Sequence, residues 1–322
     1  MTRRAFLPAG QPSRTRSRAS SVSWRARPAV TCTARFWTST EEPGLAEQRI
    51  QAGRDFSGGW TLVTGGASGI GLACAEHVAV RGANLVLVDI DAARLERAAG
   101  QLRAHGAEVR VQLIDITRTA ELEAFAGTLD GEGVRVTRLV TAAGVLQPMR
   151  EIELLQADEH DRVWSINYHG TYHCCRIWGE RMRKAGGGAI VTVSSITSMR
   201  ATPLLAYGPA KAALNALTAS LAVSYAASGV RINAIAPGFT LTEALDDKIK
   251  TGQRDAGSIL AGVPMARFVR PEEVASGVGF LLSDASSAIT GVTLPVDCGW
   301  LSGSSWQTFQ PLPVAAEAGH AV

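Results

Sequence analysis

From Trp60 onward, short apolar runs alternate with helix-length segments, and few folds can accommodate that alternation. Continuous runs such as Asn84–Val88 suit strands buried on both faces. Strands are expected at Trp60–Thr64, Asn84–Val88, Val109–Ile114, Arg138–Ala142, Ala189–Val193, Val230–Ile235 and Val292–Val296. Helices are expected between them, at Gly69–Arg81, Ala92–His105, Thr119–Leu129, Asp158–Arg183, Tyr207–Ala227 and Pro271–Leu282. Strand–helix alternation of this kind demands a parallel sheet with helices on both faces. The expected fold class is therefore α/β, a doubly wound seven-stranded parallel sheet. No internal repeat or linker breaks the pattern after residue 56, so residues 56–305 read as one domain and 306–322 as a C-terminal tail.

The turn after the first strand is Thr64-Gly65-Gly66-Ala67-Ser68-Gly69-Ile70-Gly71. It lies between a strand and a helix, where backbone N–H groups and the helix dipole favour an anion. Glycines admit a pyrophosphate close to the backbone, and Ser68 adds a hydroxyl. Eighteen residues after Gly71, the second strand runs into Asp89. A carboxylate there accepts hydrogen bonds from a ribose diol and repels a 2′-phosphate. No Arg or Lys lies in the loop itself, so NAD is expected over NADP. Asp91 is better placed than Asp89 to cap the following helix. Asp115 and the backbone N–H of Ile116 close the third strand, where they can address an adenine edge.

Tyr207 and Lys211 are the candidate acid/base pair. At i and i+4 they share a helix face, and an ammonium beside a phenol is expected to lower its pKa. Pro209 is tolerated in the first turn. Ser195, twelve residues before Tyr207, is placed to bond a substrate oxygen; Ser194 is the alternative.

With Thr64–Gly71, Asp89, Asp115, Ala142-Ala143-Gly144, Asn167, Ser195, Tyr207, Lys211, Pro237-Gly238 and Thr242 in this order, residues 56–300 resemble a short-chain dehydrogenase/reductase with a single Rossmann domain. The resemblance implies catalytic roles for Asn167, Ser195, Tyr207 and Lys211, with Asn167 anchoring a water that links Lys211 to solvent. It implies cofactor contacts from Gly65, Ser68, Gly69, Ile70, Gly71, Asp89, Asp115, Ile116, Ala143, Gly144, Tyr207 and Lys211. Pro237, Gly238, Thr240 and Thr242 would hold the carboxamide. The departure is Thr141, where the family usually has the Asn that braces the central sheet. The resemblance also implies a homotetramer or homodimer built on Asp158–Arg183 and Tyr207–Ala227. Small residues such as Ala210, Ala216 and Ala222, facing Trp164, Ile177 and Trp178, fit such a contact.

The expected reaction is hydride transfer between NAD and a secondary alcohol or its ketone. Polar residues in the variable segment Phe239–Phe268 hint at a small polyol, sugar or cyclic diol. Two rivals are a 3-oxoacyl carrier-protein reductase, which would want NADP, and a non-enzymatic nucleotide sensor, which would lack Tyr207 or Lys211. No metal is expected: His169 and His173 are spaced i,i+4 but lack acidic or Cys partners. The five cysteines are odd in number and show neither zinc spacing nor a disulfide framework. Trp300 and Trp306 fit a pocket cover or a subunit contact equally.

Residues 1–55 differ from the rest. The first 40 hold eight Arg and no acid, so of the net charge of +3 the remaining chain carries 3 − 8 = −5. That mildly acidic body argues against a nucleic-acid partner, and no run of 18 apolar residues suggests a membrane span. The Arg/Ser-rich segment reads as a disordered, dispensable extension, with a mitochondrial transit peptide and a basic arm as the other readings. A cytoplasmic address is expected, or a mitochondrial one if the segment is a transit peptide.

Overall fold

The computed structural model describes residues 56–303 and Trp306. The expectations for residues 1–55, and for the tail beyond Trp306, lie outside the described residues. Seven strands form one sheet: β1 Trp60–Thr64, β2 Asn84–Asp89, β3 Val109–Leu113, β4 Val136–Thr141, β5 Gly188–Val193, β6 Val230–Pro237 and β7 Thr293–Val296. Their order is β3-β2-β1-β4-β5-β6-β7, and every neighbouring pair is parallel. The order reverses between β1 and β4, which opens a crevice beyond their C-terminal ends.

Helices cover both faces. One face carries α1 Gly69–Ala79, α2 Ala92–Ala104 and a late helix, Pro271–Leu282. The other carries α3 Thr119–Gly131, the long helix after β4 and a helix from Tyr207 to Ala226. Alternation along the strands feeds two cores. Val63, Leu85 and Leu87 pack with Cys74, Val78, Leu95 and Val278, while Leu62, Val86 and Val88 pack with Leu122, Cys174 and Trp178. Leu85 to Val88 are all completely buried, which is why β2 reads as an unbroken apolar run.

The helix expected over Asp158–Arg183 is not uniform. It comprises α4 Ala157–Trp164, a π-helical turn Ser165–Gly170 and α5 Thr171–Lys184. Asn167 supplies the physical reason. Its Nδ2 donates to the carbonyl of Val163, four residues back, and also to that of Val145, both at 2.9 Å. A side chain occupying that carbonyl displaces the regular ladder. Downstream lie α6 Tyr207–Ala226, then α7 Glu243–Lys250 and α8 Ala256–Leu260 in the variable segment, α9 Pro271–Leu282 and α10 Trp300–Gly303.

Several side chains read as assembly contacts have other work: Ile177, Trp178, Ala210 and Ala222 are buried within the protomer. Val223 on α6, 81% exposed, and Tyr172 on α5 face outward instead. Among the described residues no helix is long and apolar enough to cross a membrane.

Candidate active site

The β1–α1 turn is a cradle shaped by its backbone. Gly65 has φ +67°, a left-handed conformation, and a Cβ there would lie 2.7 Å from Ala143 Cα. At Gly71 a Cβ would lie 2.0 Å from the Gly65 carbonyl oxygen, so the loop closes on its own helix. Ser68, the N-cap of α1, makes no side-chain cap bond. The first-turn N–H groups of α1 are thus left for an anion.

Asp89 borders this cradle. Its Oδ2 accepts from Ala67 N at 3.1 Å, and Oδ1 accepts from Ile90 N and Asp91 N at 2.7 and 3.1 Å. Asp91, not Asp89, caps α2, accepting from Arg94 N at 3.0 Å. A cavity of about 380 Å³ adjoins the loop, lined by Ser68, Gly69, Arg94, Arg97 and Thr242. Arg94 there reaches Asp91 at 3.5 Å and Glu243 at 3.4 Å. Thr242 approaches Gly69, where a Cβ would lie 3.4 Å from Thr242 Cγ2. Thr240 turns inward, its Oγ1 donating to the Gly238 carbonyl at 3.1 Å, and Gly238 follows Pro237 at the end of β6. Asp115 Oδ1 accepts from Thr117 N at 2.9 Å, and Ile116 is buried against Gly170.

On the other side of the crevice, Tyr207 opens α6 and Lys211 follows one turn later. Lys211 is 3% exposed, and its Nζ donates to the Val193 carbonyl at 2.8 Å while lying 5.5 Å from the Tyr207 ring centroid. Burial lowers the Lys211 pKa to about 8. The phenol moves the other way from the sequence expectation. Burial pushes Tyr207 up to about 12, and a hydrogen bond with Ser195 opposes that only in part. Desolvation of the buried phenol is the larger effect.

Ser195 and Ser194 separate clearly. Ser194 Oγ turns back to the Lys211 carbonyl at 3.4 Å, whereas Ser195 is the group bonded to Tyr207. Ser195 Oγ also accepts from Thr197 N at 3.2 Å and Thr197 Oγ1 at 3.0 Å. Asn167 joins them from the π turn. A Cβ on Gly144 would lie 2.8 Å from Asn167 Oδ1 and 3.7 Å from Lys211 Nζ, so these three residues meet at one point. Asn167 Oδ1 is buried without a partner among the described residues.

Three supporting residues escaped the sequence reading. Gln147 is 5% exposed, and its Oε1 accepts from Ala206 N at 2.5 Å and Tyr207 N at 2.9 Å. Asn215 donates to Ser198 Oγ at 2.8 Å, and Ser198 Oγ donates to the Ser195 carbonyl at 2.5 Å. Gln147 and Asn215 carry one sequence signal, a polar residue inside an apolar setting, as in Val145-Leu146-Gln147-Pro148. Thr141, the departure noted above, leaves its Oγ1 buried and unpartnered among the described residues. The Thr64 hydroxyl, 3.4 Å from Ala143 N, makes the nearby link.

Phe239 meets Trp300 edge-on at 6.0 Å, and both line a cavity of about 540 Å³ with Arg254 and Ser258. Trp306 is 63% exposed. Cys174 and Cys175 are core thiols, and burial pushes Cys175 up to about 12. Among the described residues no three potential metal ligands gather.

A family model described as enoyl-(acyl carrier protein) reductase matches residues 65–301. Galactitol 2-dehydrogenase of Rhizobium johnstonii is 37% identical over 74% of this chain and 93% of its own length. The chain belongs to the short-chain dehydrogenase/reductase family. D-threitol dehydrogenase of Mycolicibacterium smegmatis, another similar protein, is 36% identical over 79% of this chain and 97% of its own. A solved structure of NAD+-bound xylitol dehydrogenase superposes with a TM-score of 0.71 at 29% identity, covering 75% of this chain and 98% of that one. As a short-chain dehydrogenase/reductase, the protein is an oxidoreductase that works with a nicotinamide dinucleotide on a secondary alcohol or its ketone.

Proposed function

We propose that the protein is an NAD-dependent dehydrogenase of a small polyhydric or cyclic secondary alcohol, with Tyr207 as its acid/base group. The observation that carries this reading is the convergence of Tyr207, Ser195, Lys211 and Asn167 beyond the sheet, across the crevice from an anion cradle. Relatives support the substrate class, since two of them are named for galactitol and D-threitol.

The residues present fit NAD. The pyrophosphate would rest on the first turn of α1, with Gly65, Ser68, Gly69, Ile70 and Gly71 around it. Asp89 would take the ribose diol, with Asp115 and Ile116 beside the adenine. Arg94 does not stand ready for a 2′-phosphate, because Asp91 and Glu243 already balance it. Ala143, Gly144, Pro237, Gly238, Thr240 and Thr242 would line the nicotinamide half. When bound, NAD supplies the hydride acceptor and a positive ring charge that favours ionisation of a nearby phenol.

The chain's own residues do the rest. Ser195 hydrogen-bonds the substrate oxygen, and Tyr207 takes its proton. Lys211, charged below about pH 8, favours the tyrosinate electrostatically and grips the ribose. Asn167 Oδ1, the unpartnered buried acceptor, would hold the water through which Lys211 exchanges protons with solvent.

The test is NADH formation by purified protein against galactitol, D-threitol, xylitol and cyclic diols, with NAD and NADP in parallel. Oxidation with a clear NAD preference, narrowed by Asp89→Ala, is expected. Tight NADP binding, or turnover only on acyl-carrier thioesters, would overturn the reading. The outward-facing Val223 and Tyr172 support self-association through α5 and α6, as a homodimer or homotetramer. A monomer at micromolar concentration in light scattering would refute that.

A further inference from the structure

We propose that Gln147 is a positioning residue for Tyr207, an uncharged cap whose side-chain oxygen holds the first turn of α6 and thereby the phenol. This rests on the assignment of Tyr207 as the acid/base group.

The helix that carries Tyr207 begins without a cap of its own. Its N-cap is Ala206, which has no side-chain acceptor and makes no cap bond. The acceptor arrives from a residue 60 positions upstream. Gln147 Oε1 takes the N–H groups of both Ala206 and Tyr207, so the residue that bears the phenol is itself held by the backbone. The same short loop serves the rest of the cluster. Gly144 lies against Asn167 and Lys211, and the Val145 carbonyl accepts from Asn167 Nδ2 at 2.9 Å. Residues 144–147 thus set Asn167 and Tyr207 relative to one another.

The choice of an amide is informative. Two N–H donors require an oxygen, which fixes the amide orientation and leaves Nε2 buried with no partner among the described residues. A glutamate would accept the same two bonds, favour the positive end of the helix and leave no unpaired N–H. It would also place a negative charge against the residue that must ionise. The groups acting on the phenol are the Ser195 hydroxyl from the loop after β5 and Lys211 one turn on, with Asn167 behind Lys211 in the π turn. No carboxylate acts on it among the described residues. A neutral oxygen supplies the cap without making the tyrosinate harder to form.

Gln147→Met and Gln147→Glu test this, with Tyr207→Phe as control and the best alcohol of the panel above as substrate. Gln147→Met keeps length and removes the acceptor. It should lower kcat by about 10-fold or more while KM for NAD changes little, the pattern of a displaced proton-transfer group. Hydrogen exchange should speed up in the peptide 203–212. Gln147→Glu should restore that protection and the melting temperature, yet move the ascending limb of the pH–rate profile for alcohol oxidation to higher pH by about one unit.

Should Gln147→Met fail to fold, the Gln147→Glu profile decides alone. A Gln147→Met enzyme with normal kcat and profile, even at reduced melting temperature, would make the residue merely structural and overturn the proposal. So would an unshifted Gln147→Glu profile. If Tyr207→Phe itself retains turnover, the parent reading fails first, and that outcome is distinct from the other two.

Discussion

The crevice has two walls that are specified in different currencies. On the β1–α1–β2 side, shape comes from the backbone: Gly71 cannot carry a Cβ, and a single carboxylate, Asp89, ties the loop through Ala67 N. On the β4–β5–α6 side, shape comes from side chains reaching across the sequence. Gln147 caps Tyr207, Lys211 reaches Val193, and Asn215 braces the Ser195 segment through Ser198. A backbone wall suits a cofactor whose phosphates and sugars need many N–H donors. A side-chain wall suits chemistry in which one proton must be delivered at one atom. On the proposed reading, binding is spread over many weak contacts here, while turnover hangs on a few.

The largest expected effect tests that concentration of function. Tyr207→Phe removes one oxygen, so turnover should fall by about 10²-fold or more while NAD still binds in calorimetry. Near-normal rates would erase the contrast between the walls. Next comes the backbone wall. Gly71→Ala drives a Cβ into the Gly65 carbonyl, so NAD affinity should fall by at least about 10-fold with far less change in kcat at saturation. Equal losses in kcat would show that the cradle also positions the chemistry.

A third effect is thermodynamic. Lys211 ionises near pH 8 when folded and near 10.5 in the ordinary range, so between these values the unfolded chain binds more protons. Stability should therefore rise with pH across that window, by about 3 kcal/mol at most, and be independent of this group below it. Lys211→Met should abolish the rise in denaturant titrations of the cofactor-free protein. Tyr207 has the opposite sign. Its pKa is raised from 10.0 to about 12, so stability should decline with pH between those values. The smallest effect lies where the walls join. Thr141→Val deletes a buried hydroxyl that has no partner among the described residues and should raise stability by up to about 1 kcal/mol, read as a small increase in Tm. A loss instead would mean that the hydroxyl has a bonding partner in solution.

The two walls were unequally legible. The glycine spacing, Asp89 and the apolar strands are local signals, and the strand positions derived from them agree with the sheet to within two residues or so. Tyr207 and Lys211 were legible because their spacing is itself a helix property. Gln147 was not, since nothing in Val145-Leu146-Gln147-Pro148 announces a partner 60 residues away. The phenol pKa was misjudged for a related reason. Spacing brings Lys211 near Tyr207, but only the fold shows that Nζ turns to Val193 and that burial dominates. Ile177 and Trp178 likewise read as free apolar area until the sheet is laid beneath them.

The π turn at Ser165–Gly170 has a consequence for how this helix tolerates change in length. Removing one residue there would restore a regular ladder. Every side chain beyond it would then swing by about 100° around the helix axis, the angle of one residue in 3.6 per turn. Trp178, now wholly enclosed, would leave its place in the core, and the outward Tyr172 would turn with it. Asn167 would lose either its hold on Val163 or its place beside Lys211. The two halves of the helix are thus phased against each other by one extra residue, so α5 can keep the sheet covered while Asn167 serves the site.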